Sequence, residues 1–117
     1  MKIKFESASI AVQDLDRAIE FYEWFLDRKV TSRGKFLTKF DLGNMDFVLF
    51  DSKNSPHETS YGDNCILNFE VEDVESCFKA IKEKNLEVTL PLMKMGGRIV
   101  FIFKDTEGNQ IEVFSLV

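Results

Sequence analysis

A chain of 117 residues, 44% hydrophobic and 30% charged, has the size of one small domain and is long enough to bury a core without disulfide or metal staples. Its apolar fraction excludes disorder, and no apolar run reaches the roughly 18–20 residues of a membrane-spanning helix. A net charge of −5, from 15 basic and 20 acidic residues, argues against a general nucleic-acid binder, which needs a positive face for phosphates. The opening Met1-Lys2-Ile3-Lys4 leads straight into a strand pattern with no signal-peptide core, so a cytoplasmic protein is expected.

The first predicted element is a strand. Ala8, Ile10 and Val12 fall on one face and Ser7, Ser9 and Ala11 on the other. Asp14 follows as a helix N-cap, since its carboxylate suits the free amides of a first turn. Leu15, Ala18, Ile19, Tyr22, Phe25 and Leu26 then form a stripe of helical period. Phe21 and Trp24 widen that stripe into an aromatic arc, which suits a contact with a second copy of the chain. Three strands are expected at roughly 29–33, 35–42 and 45–51, with Gly34 and Gly43-Asn44 as turns. A polar stretch of about residues 52–61, bearing Pro56 and the single His57, reads as a connector.

The pattern then repeats. Ile10, Val12, Asp14, Leu15 and Ile19 align with Phe69, Val71, Asp73, Val74 and Phe78 at an offset of 59. Asp73 is the second N-cap, and Val74, Cys77, Phe78 and Ile81 are the second helical stripe. Strands are expected at roughly 86–91, 98–104 and 109–116, with Gly108-Asn109 matching Gly43-Asn44. Cys65 and Cys77 read as reduced, small core hydrophobes, and with one histidine they make no zinc finger.

The fold class is therefore α+β: one domain over residues 1–117, built from two tandem βαβββ modules of about 1–51 and 62–117. Two such units are expected to form a cupped half-barrel with the helices outside and a shared cleft inside. Strand alternation turns Ser7, Ser9, Asn68 and Glu70 toward that cleft. Ile99-Val100-Phe101-Ile102-Phe103 is apolar on both faces, so its second face must be covered; Phe101 and Phe103, joined by Phe114, are candidate ligand contacts. Arg98, after the Gly96-Gly97 turn, is placed to meet Glu112 or an anionic group of a ligand.

The run Ala11-Val12-Gln13-Asp14-Leu15-Asp16-Arg17-Ala18-Ile19-Glu20-Phe21-Tyr22 resembles the opening motif of the glyoxalase / bleomycin-resistance / extradiol-dioxygenase superfamily, also called vicinal oxygen chelate. Asp105-Thr106-Glu107-Gly108-Asn109-Gln110-Ile111-Glu112-Val113 resembles its closing signature, and Asn68 to Val74 fits the middle. The resemblance implies paired modules, a homodimer, and in the family's enzymes a divalent metal held by His, Glu or Gln as a Lewis acid. It places the first ligand at Ser7, seven residues before Asp14, with Ile66 as its mate. It places the last-strand ligand at Glu112, four residues after Gly108, with Phe47 or, on another count of the turn, Leu49 as its mate.

One carboxylate, one hydroxyl and two apolar side chains fall short of the three protein ligands a metal needs, so no metal and no other cofactor is expected. The expectation is a metal-independent protein that binds a small molecule, such as an antibiotic or aromatic metabolite, in a dimeric cleft. The alternatives are a metal-dependent lyase or isomerase of the glyoxalase I type, a ring-cleaving dioxygenase, or a module that binds a protein partner. Glu112 is the only candidate catalytic residue, as a general base.

Overall fold

The structure, a computed structural model, describes residues 1–2, 5–55 and 66–117. It divides into two compact units, Met1–Ser60 and Tyr61–Val117. Most of the expected connector, with His57, lies outside the described residues, as does Cys65.

The first unit runs β1 (Ser7–Val12), α1 (Leu15–Leu26), β2 (Ser32–Arg33), β3 (Leu37–Asp41) and β4 (Asp46–Asp51). Its sheet has the order β1-β4-β3-β2, with β1 and β4 parallel and the other pairs antiparallel. A parallel pair needs a crossover, and α1 supplies it. Asp14 starts the helix from an extended backbone, its Oδ1 accepting from the Arg17 N–H at 3.1 Å. Asp27 ends it in the left-handed region at φ 50°. The strand expected at 29–33 shortens to two residues because the Glu23 carboxylate, at the helix end, accepts the Val30 N–H at 3.1 Å.

Aromatic contacts identify the face that α1 covers. The fully buried Tyr22 ring lies 4.9 Å from Phe47, and Phe47 lies 6.2 Å from Phe40. The register adds Ala8, Ile10 and Val12 of β1, Leu49 of β4 and Thr38 of β3 to that face. The opposite, helix-free face carries Ser7, Ser9 and Ala11, then Asp46, Val48 and Phe50, then Lys39 and Leu37. Phe21 is buried and packs edge-on to Tyr22 and stacked on Phe25, so part of the aromatic arc serves intramolecular packing; Trp24 stays 42% exposed.

The second unit repeats the plan: β5 (Leu67–Glu70), α2 (Val74–Glu83), β6 (Val88–Met95), β7 (Arg98–Lys104) and β8 (Gln110–Leu116), in the sheet order β5-β8-β7-β6. Asp73 caps α2 as Asp14 caps α1, accepting from the Ser76 N–H at 3.1 Å. Phe78 of α2 meets Phe101 edge-on at 5.2 Å, and Phe101 lies 5.9 Å from Phe103. The helix-covered face is thus Phe69, Phe101, Phe103, Ile111 and Val113. The helix-free face is Asn68, Glu70, Arg98, Val100, Ile102, Glu112 and Phe114. β6 runs past Pro91 with register shifts, which its edge position tolerates because an edge proline owes no ladder donor.

The two hairpins that carry the repeat signature differ by one residue. Four residues separate the paired Asp41 and Asp46, whereas five separate the paired Lys104 and Gln110. Asp105 holds the longer turn: its Oδ1 accepts the N–H groups of Glu107 and Asn109, each at 2.8 Å. Gly43 and Gly108 take φ of +93° and +86°, a conformation that side chains rarely adopt.

Candidate functional site

The strand ladders, rather than the turn glycines, decide which side chains correspond between units. Asn68 pairs with Glu112, and the equivalent pair in the first unit is Ser9 with Val48. The repeat mate of Glu112 is therefore Val48, not Phe47 or Leu49. Phe47 and Leu49 belong to the helix-covered core, where Phe47 packs on Tyr22, and they do not share a face with Ser7 and Ser9. Phe101 and Phe103 are likewise corrected: both are fully buried on the α2 side. Val100 and Ile102 make the second face of β7 apolar.

The remaining sequence candidates do lie on helix-free faces. Ser7 and Ser9 are half-buried and exposed on β1, in register with Asp46 and Val48. On the second sheet Asn68, Glu70, Glu112, Phe114 and Arg98 share one face, and Ile66 lies just before β5 with the same parity. The Asn68 amide donates to the Ile66 carbonyl at 3.1 Å. Glu112 is half-buried between Asn68 on β5 and Ile102 on β7.

Arg98 does not meet Glu112. Its guanidinium carbon lies 3.9 Å from the centre of the Phe114 ring, and its strand partner is Leu116, four residues further along β8 than Glu112. Phe114, on the face opposite Phe101 and Phe103, is buried beneath this cation–π contact.

With Val48 as the repeat mate of Glu112, the four metal positions that the resemblance implies carry Ser7, Val48, Ile66 and Glu112. This donor set does not fit a divalent cation, because aliphatic side chains donate nothing and a neutral hydroxyl donates weakly. Among the described residues no group of three or more His, Cys, Asp and Glu side chains could hold a metal ion. Taken sheet by sheet, the helix-free face of the first unit offers the Ser7 and Ser9 hydroxyls beside Val48, and that of the second offers the Asn68 carboxamide and the Glu70 and Glu112 carboxylates beside Ile102 and Phe114. Such a surface can hold a ligand through a few directed hydrogen bonds and apolar contact. Cys77 is no nucleophile for it, since burial raises its thiol pKa and keeps it protonated.

Two concavities lie elsewhere on the first unit. One of about 460 Å³ is lined by Asp16, Ile19, Glu20, Glu23, Trp24 and Lys29. The other, of about 340 Å³, lies around the start of α1, with Asp14, Arg33, Asp51 and Lys53 in its wall. Neither includes a residue of the four family positions.

Sequence reasoning missed Val48, Val100 and Ile102. For Val48 the unequal spacing of the turn glycines is the reason, Gly43 standing three residues before β4 and Gly108 two before β8; for Val100 and Ile102 the all-apolar β7 run offered no signal.

Comparison with known proteins agrees with this architecture. The chain is 29% identical over 124 residues to the uncharacterized protein YurT of Bacillus subtilis, covering 95% of this chain and 98% of the relative. A protein of unknown function from Agrobacterium tumefaciens superposes with a TM-score of 0.77 at 25% identity, covering 100% of this chain and 97% of that one. A lactoylglutathione lyase from the same organism superposes with a TM-score of 0.73 at 18% identity, covering 96% and 92%, a likeness of fold. The family model described as Glyoxalase/Bleomycin resistance protein/Dioxygenase superfamily matches residues 4–113, and with nearly the whole chain so matched, the protein belongs to that superfamily.

Proposed function

We propose that this protein binds a small, partly apolar molecule on its helix-free sheet surfaces without a divalent metal, sequestering it rather than transforming it. What supports this reading is the chemistry of Ser7, Val48, Ile66 and Glu112, the residues that the resemblance and the strand register assign to the family's ligand positions. Lewis-acid chemistry needs a held cation, and one carboxylate does not hold one tightly. Apolar side chains of the same faces support binding: Phe50 on the first sheet and Ile102 on the second are only half-buried and offer contact area. The polar groups of the second sheet's helix-free face, Asn68, Glu112 and Arg98, are its available sources of directed contacts.

The test is metal content. The purified protein is incubated with zinc, nickel, iron(II) and manganese, and free metal is then removed. No retained metal is the expected result, followed by binding in a screen of antibiotics and aromatic metabolites. About one metal held per chain, lost on Glu112→Ala, would overturn the reading and point to a metal-dependent lyase or dioxygenase.

A further inference from the structure

We propose that the Arg98–Phe114 stack is the recognition point for an organic carboxylate, so that the ligand is an apolar acid rather than a neutral or cationic molecule. The inference deepens the small-molecule reading and rests on it.

The argument starts from the state of Arg98. Its guanidinium lies over the Phe114 ring at 3.9 Å, and among the described residues no carboxylate pairs with it. Stacking fixes the plane of a guanidinium while leaving its N–H donors for another acceptor. A planar, bidentate carboxylate matches that fork. The stack also removes much of the rotamer freedom that an arginine otherwise loses on binding.

The surroundings specify the rest of the ligand. Arg98 pairs across the sheet with Met95 on one side and Leu116 on the other, and Met93 pairs with Val100 one step further in. Met93, Met95 and Leu116 are 41%, 51% and 65% exposed, an open apolar rim around a single cation. Thioethers are polarisable and adapt to irregular shapes, so the rim suits a hydrocarbon or aromatic body. The acidic side chains of this face stand apart from the rim. Glu70 flanks Phe114 from β5, the side away from β7, and Glu112 lies two residues along β8 in the direction away from Leu116. An acid whose carboxylate meets Arg98 and whose body lies over Met93, Met95 and Leu116 avoids both.

The experiment uses the whole chain and three probes of one shape: 3-phenylpropanoate, 3-phenylpropanamide and 3-phenylpropan-1-amine. Binding is followed through the methyl resonances of the methionines. The acid should shift Met93 and Met95 but not Met45, and should bind about tenfold more tightly than the amide, with the amine weakest. Arg98→Gln should erase the advantage of acid over amide, and Arg98→Lys should retain part of it. Arg98 is exposed, so the variants should keep the wild-type circular dichroism spectrum.

Equal binding of acid and amide at Met93 and Met95 would overturn the carboxylate assignment and leave the small-molecule reading standing. An acid preference that survives Arg98→Gln, or shifts confined to other methionines, would also overturn it. No binding by any probe would overturn it as well, and if the protein also retained a metal, both readings would fall.

Discussion

Thr38 is fully buried on β3, and its Oγ1 has no hydrogen-bond partner. It faces Leu49 across the β3–β4 ladder, on the face that α1 covers, with Phe40 two residues along the strand. A hydroxyl left unpaired in such surroundings costs about 1–3 kcal/mol relative to an apolar group of the same shape. Valine has that shape and favours a strand as strongly as threonine does. Thr38→Val should therefore raise stability by roughly 1 kcal/mol, seen as a higher urea midpoint with an unchanged slope. A lower midpoint would mean that the hydroxyl is satisfied in solution. The residue lies outside the helix-free face, so ligand binding should not change with it.

At the scale of elements, the two helix starts are near copies. Asp14 and Asp73 sit at φ −122° and −127°, and each carboxylate accepts the amide three residues on at 3.1 Å. Asp73 also accepts from the Ser76 hydroxyl at 2.7 Å. That hydroxyl, then the Ser76 amide, hold its pKa below the usual 3.8. A group whose folded pKa is lowered stabilises above its unfolded value and loses that contribution as pH falls through the folded one. The cap on α2 should therefore persist at pH 3.8 and fail only below it. A carboxyl-carbon NMR titration should place the Asp73 midpoint under 3.8, and Ser76→Ala should move it back up; a wild-type midpoint at or above 3.8 would sink the assignment. These caps and both helical stripes were legible in the sequence because capping and helical period are local. The facing of β4 and β7 was not. Phe47-Val48-Leu49-Phe50 and Ile99 to Phe103 are apolar at every position, so alternation carries no sign there. In β1 the serines supply that sign, and Ser7 and Ser9 lie together on the helix-free face of their sheet. The mate of Glu112 was misplaced for a third reason: Gly43 and Gly108 are not equivalent, since three residues lead from Gly43 to β4 and two from Gly108 to β8.

For the whole molecule, charge and cap together order the events of acidification. The chain carries −5 at neutral pH and reaches zero net charge near pH 4.9. Self-repulsion disappears there, so association is favoured while the fold is still intact. The Ser76 hydrogen bonds keep the Asp73 carboxylate ionised to lower pH than a free aspartate, so its cap outlasts that point. Light scattering should accordingly peak near pH 4.9 with the helical circular dichroism signal unchanged, and that signal should fall only at lower pH. A helical signal that collapsed together with the rise in scattering would show that carboxylates other than the cap hold the fold. The surface ion pairs are poor candidates for that role. Asp16–Arg33 at 3.0 Å and Glu87–Lys104 at 3.5 Å are both largely exposed, where such pairs contribute little. Asp105 is the stronger one, buried and fixing the β7–β8 turn through two backbone amides, so a premature collapse would direct attention to that hairpin first.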